Sequence, residues 1–452
     1  MENDIKPHVN GYAERKKAYA ILFKLGLPVL VTQLGNIIVN MADTMMVGAY
    51  GTRELASAAF VNNLYMIPIV MQMGFAGGVT PLIGALYGAK KNYDAGAMLR
   101  VGLKLNIALA IFILLAMGIL YFFLPYMGQP AELIPLIKPY YLIVLVSVVL
   151  ASLFYPCMQM AMGITDTITP MLIIIGANIL NCIGNYALIF GNFGMPEWGL
   201  NGAGISTLTA RVLSTIAMIT VITLGVKYKP YRQGLKKRGG LVGQRKQMLQ
   251  TSLPVMIQSG IECSLWGFGA IVCGWYGKEQ LAAYQVVLVM GQLGFMTYMS
   301  FATATSIRIA NLTGIGNKSA IRSTATAGLH MILTLATTAS LIFIIFGKNI
   351  LELFSEDPAV TTIGITLILP LVLYQYADAV QMTYVNALRG TSKVKPLTRI
   401  SILSYIITGI PAMLFMATGL NMQSAGVYYS FSIALIVAAI LYRKAFRKTL
   451  TA

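Results

Sequence analysis

Twelve long apolar segments follow one another along the chain, separated by short polar stretches. Each segment is close to the ~20 residues that an α-helix needs to cross a bilayer. The pattern therefore predicts an all-α polytopic membrane protein with twelve transmembrane helices. The predicted spans are 21–46, 54–79, 99–124, 135–157, 167–190, 201–226, 247–274, 281–304, 322–346, 360–386, 395–417 and 424–442.

The second half of the chain repeats the first in a constant register, offset by half of the chain length. Segments 27–51 and 253–277 both begin with Leu-Pro-Val and both end with Gly-x-Tyr-Gly, and the same register pairs Met73 with Met299. A single register held along most of each half indicates an internal duplication, which is common in secondary transporters. We therefore expect two pseudo-symmetric six-helix lobes.

This repeat defines the predicted domains. They are an N-terminal tail (1–20), an N-lobe (21–226), a basic linker expected to be solvated (227–246), a C-lobe (247–442) and a C-terminal tail (443–452).

Composition and charge agree with a membrane protein. Hydrophobic residues make up 57% of the chain and charged residues only 11%, whereas soluble domains carry about 25% charged residues. The net charge is +18, but 28 of the 33 basic residues fall in the tails and in alternate loops, on one predicted side of the membrane. The positive-inside rule then predicts a plasma (inner) membrane protein with both termini in the cytoplasm, and it removes the case for nucleic-acid binding.

Three of the fifteen acidic residues lie inside predicted spans: Asp43, Glu262 and Asp378. A carboxylate at the centre of a membrane helix costs about 2.5–3.5 kcal/mol on the insertion scale, so it is expected to be functional. Arg211 is the only basic residue near the middle of a predicted span, because the other basic residues within the span limits lie within six residues of an end. Acids without basic partners require protons, a metal cation or a cationic ligand, which predicts ion-coupled transport of cations.

The N-lobe places polar residues on one face of each of two predicted helices, at spacings of three or four residues. These residues are Asn36, Asn40 and Asp43 in the first span, and Asn178, Asn181 and Asn185 in the fifth. We expect the two faces to form a substrate or proton site. The alternative for the asparagines is hydrogen bonding between helices that only holds the helices together.

In the C-lobe, Tyr374, Asp378 and Gln381 share a face of the tenth span, and Glu262 lies in the seventh. Two neighbouring acids bind a cation better than either alone, and they titrate as a coupled unit. The sequence therefore predicts a coupling-ion site for Na⁺ or H⁺ here, with Glu262 and Asp378 as candidate Na⁺ ligands.

Several kinds of chemistry are not indicated. The chain has no GxxxxGK[ST] phosphate-binding loop, no HExxH, no GxSxG and no His/Cys metal cluster, so we expect neither an enzyme nor a bound cofactor. His330 is expected to be a packing residue. The four cysteines, Cys157, Cys182, Cys263 and Cys273, lie in apolar spans and are expected to be free buried thiols.

Five stretches of the chain resemble the multidrug and toxic compound extrusion (MATE) transporters, and within that family the NorM-like branch. They are MADTMMVGAYG (41–51), TPLIGALYGAKK (80–91), NYALIFGNFGMPEWGLNGAGIST (185–207), SIRIANLTG (306–314) and DAVQMTYVNALRG (378–390). The resemblance implies two six-helix lobes with alternating access, monomeric in the bilayer, that export cationic drugs or toxins against inward Na⁺ or H⁺.

The resemblance also implies roles for individual residues. Asp43 matches the acidic residue of the first helix, and Asn181 and Asn185 match the asparagines of the same lobe. Glu262 and Asp378 match the acidic pair of the C-lobe that is linked to cation binding. This chain departs from some relatives in that its first predicted span has no proline in the middle, because proline occurs only near the start of that span.

The alternative function is a flippase for lipid-linked oligosaccharides or lipid II, from the same wider superfamily. Such ligands are anionic pyrophosphates, and their cavities need basic residues. Here the charges that we assign to the interior of the membrane are three acids, Asp43, Glu262 and Asp378, and one arginine, Arg211, which favours cationic cargo.

Overall fold

A computed structural model of the protein describes residues 11–236, 239, 241–355 and 357–451, and every regular element among them is helical. Twelve helices in this part of the chain are long and apolar enough to cross a membrane, which confirms the twelve predicted spans. They are α1 (Glu14–Tyr50), α2 (Thr52–Gly88), α3 (Asn92–Tyr126), α4 (Ile134–Gly163), α5 (Ile168–Phe190), α6 (Gly199–Leu224), α7 (Val242–Gly274), α8 (Lys278–Ile315), α9 (Lys318–Phe354), α10 (Pro358–Gly390), α11 (Lys395–Gly419) and α12 (Gln423–Thr451).

Most helices are longer than the apolar segments that predict them. The predicted ninth span is 322–346, whereas α9 runs from Lys318 to Phe354. The reason is that hydropathy marks only the part of a helix that suits hydrocarbon, while backbone hydrogen bonding continues through polar residues at the ends. The first helix begins at Gly11, so part of the predicted N-terminal tail is helical, and residues 1–10 lie outside the described part. Pro28 is therefore well inside the helix rather than near its start.

The chain forms two compact units, whose boundaries lie inside helices rather than in the linker. We call Val31–Gly260 the N-lobe, and the described residues up to Leu30 together with those from Ile261 onward the C-lobe. The boundaries follow shortly after Pro28 in α1 and Pro254 in α7, which occupy equivalent positions in the repeat. A proline inside a helix removes one backbone hydrogen bond, so each division lies close to a weakened point of its helix.

The segment after α6 is partly packed, because its tyrosines are buried while Lys227, Lys229 and Pro230 are exposed. It forms a 3₁₀ helix over Val226–Tyr231, in which the Tyr228 side chain is 1% exposed. The Tyr228 hydroxyl donates to the buried Asp166 carboxylate at 2.9 Å, and the ammonium of Lys227 lies 3.2 Å from the same carboxylate. Residues 237, 238 and 240 of the predicted linker lie outside the described part.

Asp166 is a buried acid that lies outside the spanning helices. Burial alone would raise the pKa of Asp166. Hydrogen bonds from Thr169 and Tyr228 and the charge of Lys227 together lower the pKa by more than burial raises it, so the pKa lies below its ordinary value. Asp166 is therefore ionised at neutral pH and joins the loop between α4 and α5 to the segment after α6.

Large apolar side chains point outward along the spanning helices. On α3, for example, Phe112, Leu115 and Ile119 are 67%, 64% and 62% exposed. Contiguous exposed apolar surface is rare on soluble monomers, whereas a bilayer requires it. The fold is therefore that of a multi-pass membrane protein.

Candidate functional site

In the N-lobe, α1 and α5 are joined at two levels by polar side chains. The Asn178 amide donates to the Asn36 side-chain oxygen at 3.2 Å, and the Asn185 amide donates to the Asp43 carboxylate. Both pairs are separated by 142 residues, which places the two contacts two helical turns apart in one register. The polar faces of α1 and α5 thus meet as predicted at Asn36, Asp43, Asn178 and Asn185.

The other two predicted N-lobe residues lie elsewhere. Asn181 is buried and donates to the hydroxyl of Thr207 at 3.1 Å and to that of Ser206 at 3.3 Å, so it joins α5 to α6. The Asn40 side chain is exposed, and its backbone carbonyl accepts a bond from Thr44. At about 100° per residue, Asn40 points about 60° away from Asp43, which explains why it is not part of the α1–α5 contact.

Asp43 is half-buried, and one positive charge contributes to its electrostatic surroundings. Arg211 of α6 acts on the Asp43 carboxylate through its charge. Arg211 also donates to the Ser147 hydroxyl on α4 at 2.6 Å. Asp43 thus accepts a hydrogen bond from a neutral amide of α5, and the charge of a guanidinium of α6 acts on it more weakly.

A cavity of about 360 Å³ lies in the N-lobe, with Ser147 and Arg211 in its wall. Its walls come from α2, α4 and α6. Its lining side chains are mostly apolar or neutral polar, and they include Asn62, Asn63, Tyr140, Ser147, Thr207 and Arg211. A volume of this size suits a drug-sized group.

In the C-lobe, Asp378 on α10 is deeply buried, at 1% exposed. The Tyr298 hydroxyl of α8 donates to its Oδ2 atom at 2.5 Å, and Tyr374, one turn earlier on α10, is a second hydrogen-bond partner. The Oδ1 atom is buried and has no hydrogen-bond partner among the described residues. The Asp378 carboxylate is therefore held by a hydrogen bond at Oδ2, and its Oδ1 atom remains available as an acceptor.

Glu262 on α7 is half-buried, and its charge acts on Asp378. Its charge also acts on Arg389, in the last turn of α10. The sequence pattern predicts a loop at Arg389 because the apolar run ends at residue 386, but the helix continues to Gly390. Glu262 is therefore influenced by a basic residue that the sequence pattern does not assign to the spans, whereas no described basic residue contributes to the electrostatics of Asp378.

Gln381 contacts α11 rather than Asp378. Its amide donates to the Tyr405 hydroxyl at 2.9 Å. Within the described part of the chain, Gln381 Oε1 and the hydroxyl of Ser404 are buried and have no hydrogen-bond partner. Tyr405 and Ser404 lie in a π-helical segment of α11, Ile402–Gly409, a form that is frequent at functional sites.

An aromatic cluster packs against the Asp378 region. The indole ring of Trp266 lies 5.0 Å from the ring of Tyr374 and 4.4 Å from that of Phe431, centroid to centroid. The Tyr284 hydroxyl donates to the Trp266 carbonyl at 2.9 Å. These contacts position Tyr374 beside Asp378 and fill this part of the C-lobe.

Metal-binding geometry is limited in the described residues. They contain no group of three or more His, Cys, Asp or Glu side chains that could hold a metal ion. A cation bound by Glu262 and Asp378 would therefore need neutral oxygens as further ligands. In the residues described, the unpartnered oxygens of Gln381 and Ser404 are of that kind.

The remaining predictions concern cysteine and histidine. All four cysteines are free, and Cys157 and Cys273 are buried as predicted, whereas Cys182 and Cys263 are only half-buried. His330 on α9 forms a 2.6 Å hydrogen bond with the hydroxyl of Tyr19 on α1. This contact agrees with a packing residue.

Sequence reasoning missed Tyr298 and Arg389. A signal existed for Tyr298, because the repeat register pairs it with Gln72, so both halves carry a polar group at that point of an apolar span. Both side chains are fully buried, and the Gln72 amide donates to the Val148 carbonyl at 3.1 Å. The paired position thus joins neighbouring helices in each lobe.

Comparison with known proteins identifies a family. The MatE family model matches residues 28–187 and 254–414, two segments that begin at equivalent positions of the repeat and cover most of the chain. A probable multidrug resistance protein NorM from Oceanobacillus iheyensis is 28% identical over 418 residues, covering 92% of this chain and 93% of the relative. The NorM protein from a Xylella fastidiosa strain is 24% identical over 423 residues, covering 94% and 90%.

Solved structures share the fold. A eukaryotic MATE transporter matches with a TM-score of 0.87 at 18% identity, over 98% of both chains. A transporter of the MOP superfamily from Pyrococcus furiosus also matches with a TM-score of 0.87 at 18% identity, over 96% of both chains. At this level of identity the likeness establishes the architecture of twelve helices.

Proposed function

Since this chain belongs to the MatE family of multidrug efflux transporters, we propose that it is a secondary active antiporter that exports cationic organic compounds in exchange for Na⁺ or H⁺. The observation that carries the proposal is that each lobe holds its own carboxylate site inside the spanning helices. Asp43 accepts a hydrogen bond from Asn185 in the N-lobe, and Asp378 lies in the core of the C-lobe. We assign cargo binding to the first site and ion binding to the second.

Asp43 has the properties of a cation-binding group. Its carboxylate accepts a hydrogen bond from the Asn185 amide, and an amide carries no net charge. Because the interior of a protein screens charge less than water does, an organic cation near Asp43 gains substantial Coulomb energy. The neighbouring apolar and neutral polar walls would contact the rest of the cargo.

The C-lobe site has the properties of a coupling-ion site. Asp378 Oδ1, Gln381 Oε1 and the Ser404 hydroxyl are buried acceptors without a partner in the described residues. Such atoms are rare in native proteins, and an ion or water is a common reason for them. Na⁺ would be held by these oxygens together with Glu262, whereas H⁺ would bind directly to the carboxylates.

Coupling requires that the ion favours one conformation over the other, since equal affinity for both shifts no equilibrium. We propose that ion binding at the C-lobe acids favours the state that releases cargo, in an alternating-access cycle of the two lobes. The duplicated sequence supports this cycle, because repeated halves are the usual basis of alternating access in secondary transporters.

The flippase alternative is not favoured. Its anionic pyrophosphate ligands require several basic residues, whereas the described side chains that line the N-lobe cavity include one arginine, Arg211, and the proposed sites are built around Asp43 and Asp378. The curated relatives are probable multidrug resistance proteins, and the family consists of membrane transporters rather than enzymes.

Transport in a defined system tests the proposal. Purified protein in liposomes would be assayed for ethidium transport, first with an imposed Na⁺ gradient at equal pH and then with a pH gradient in the absence of Na⁺. We expect one of the two gradients to drive ethidium transport well above the rate of liposomes that carry the Asp43→Asn variant. Equal rates for wild type and variant under both gradients would contradict the proposal.

A further inference from the structure

The segment that follows α6 carries positive charge that the proposed transport does not use. Residues 226–236 contain four basic residues and no acidic residue, and we call them the basic strap. The buried side chains of Tyr228 and Tyr231 anchor this strap in the hydrophobic core of the N-lobe. The side chains of Lys229 and Lys236 are exposed. The strap is therefore held in place by its tyrosines and presents lysines on its surface.

The basic strap lies directly against α3. The two backbones meet at a pair of glycines, because a Cβ atom at Gly96 would overlap the backbone of the strap, and one at Gly234 would overlap the backbone of α3. A second contact follows one turn further along α3, where Arg100 Nη1 donates to the Leu235 carbonyl at 3.1 Å. The backbone of Lys236, the next residue of the strap, thus lies near the Arg100 guanidinium.

Basic residues from two elements come together at this contact. Lys104 follows Arg100 by one turn on the same side of α3, and we call Arg100, Lys104 and Lys236 the basic cluster. Among the described residues, none of the three forms an ion pair with an acidic side chain. Asp94, the acid of the same helix, lies six residues before Arg100 and about 120° around the axis. The cluster therefore presents positive charge to a ligand from outside the protein.

The face of α3 beyond the basic cluster is apolar and exposed. At about 100° per residue, Ile111 and Leu115 lie within about 20° of Lys104 around the helix. Their side chains are 52% and 64% exposed. A lysine at the edge of such a face can extend its ammonium group to the level of the lipid headgroups while its methylene stem stays among acyl chains. One side of α3 thus changes from apolar to basic in the manner of a lipid molecule.

We propose that the basic cluster and the adjoining apolar face of α3 form a binding site for an anionic phospholipid. The headgroup phosphate interacts with the cluster, and an acyl chain lies along Ile111 and Leu115. A phospholipid fits both parts because its negative charge and its hydrocarbon belong to one molecule. The positive-inside rule predicts that this end of the N-lobe is cytoplasmic, and basic groups there attract anionic headgroups. The site lies outside the N-lobe cavity, and this inference does not depend on the proposed cargo.

Two lipids with identical acyl chains separate the headgroup charge from the hydrocarbon. Phosphatidylglycerol carries a net negative charge, whereas phosphatidylcholine carries none. The full-length protein in detergent would be titrated with each lipid, and native mass spectrometry would give the dissociation constant of the first bound lipid. We expect wild type to bind phosphatidylglycerol about 25-fold more tightly or better, since each basic residue near an anionic headgroup contributes about 5-fold.

Three double variants locate the site. Lys104→Gln/Lys236→Gln removes two exposed charges of the basic cluster, so phosphatidylglycerol should bind about 25-fold more weakly and phosphatidylcholine as before. Lys104→Arg/Lys236→Arg keeps both charges and should keep the preference. Lys444→Gln/Lys448→Gln removes two exposed lysines from the end of α12 in the C-lobe. It is the matched control and should bind both lipids as wild type does.

Because each protein is compared with two lipids, partial loss of folded protein does not change the ratio of the dissociation constants. Loss of the preference in the glutamine variant of the cluster, and not in the control, would support the site. Equal affinity of wild type for the two lipids would overturn it. An equal loss in cluster variant and control would also overturn it, since binding would then follow the net charge of the protein. Displacement of phosphatidylglycerol by inorganic phosphate, and not by chloride at equal ionic strength, would assign the cluster to a free anion instead.

Discussion

The two lobes are built from one repeated sequence, yet their charged residues occupy different positions. The repeat register pairs Asn36 with Glu262 and pairs Asp43 with Gly269. In the N-lobe the Asp43 position carries a carboxylate that accepts a hydrogen bond from Asn185. In the C-lobe a Cβ atom at Gly269 would lie 2.7 Å from the Phe431 ring, so the corresponding space is filled. Duplication thus supplied the scaffold, and later substitution gave each half a separate site.

The two lobes also share a backbone feature, at the turn that follows the second helix of each half. Lys90 and Gly316 are equivalent in the repeat and both have positive φ angles, of 57° and 80°. Lys90 adopts a conformation that normally favours glycine, and it does so at the same turn, after the second helix of its half. At this turn the two lobes share a backbone conformation while their side chains differ, and substitutions can test differences of the latter kind.

The largest expected effect concerns the cargo site. Asp43→Asn keeps the size of the side chain and removes its charge, so we expect ethidium affinity to fall by about 100-fold or more, the loss of one strong charge interaction at low dielectric. Equilibrium binding to purified protein measures this change. Asp378→Asn is the matched control, since we assign that carboxylate to the ion, and its ethidium affinity should change little. An Asp43→Asn protein that binds ethidium normally would remove Asp43 from the cargo site.

The next effect concerns the filled space in the C-lobe. A Cβ atom in Gly269→Ala would meet Phe431 at 2.7 Å, the Tyr284 hydroxyl at 2.9 Å and Val427 at 3.1 Å. Overpacking of this kind should lower the free energy of unfolding by about 2–3 kcal/mol. Gly176→Ala on α5 is the control, because no described atom lies within 4 Å of its added Cβ. It should be neutral or should stabilise by up to about 1 kcal/mol.

Thermal unfolding of the two glycine variants in the same detergent gives this comparison directly. Equal stabilities would mean that the C-lobe has room at Gly269, and that the lobes do not differ in packing there.

A smaller effect concerns the loop between α4 and α5. Asp166→Asn removes the charge that Lys227 and Tyr228 contact, and it should lower the free energy of unfolding at pH 7 by about 1–2 kcal/mol. Because the folded-state pKa of Asp166 is lowered, its stabilisation is present above the ordinary pKa of about 4. It is lost as the pH falls through the folded-state value.

Wild type and Asp166→Asn should therefore differ in unfolding temperature at pH 7 and converge in acid. The equivalent loop of the C-lobe, 391–394, contains no acidic residue, so Lys393→Met should show no such pH dependence. A constant difference between wild type and Asp166→Asn at all pH values would show that shape rather than charge matters at this position.

The sequence predicts the fold well because the bilayer fixes the length of each apolar run, and because the repeat constrains both halves at once. It also predicts that Asn178 and Asn185 face α1, since helical periodicity defines a face. Periodicity does not specify which helix that face meets. Asn181 contacts α6 and Gln381 contacts α11 for this reason.

Partners far apart in the chain are harder to find. Tyr298 donates to Asp378 across 80 residues, and it is one of 24 tyrosines in the chain. No local pattern distinguishes it from tyrosines that only pack. Arg389 escapes prediction because the end of an apolar run does not mark the end of the helix. Tertiary contacts of this kind depend on how helices are arranged, which one sequence does not specify.

The central claim is that the N-lobe carboxylate binds cargo and the C-lobe carboxylates bind the coupling ion. The most direct test measures ethidium efflux from liposomes as a function of the concentration of the driving ion. It compares wild type, Glu262→Gln, Asp378→Asn and the double variant. We predict that each single variant loses the ion dependence while it still binds ethidium, and that the double variant is little worse, because the two acids act as one site. Normal ion dependence in both single variants would contradict the account and would place ion coupling at Asp43.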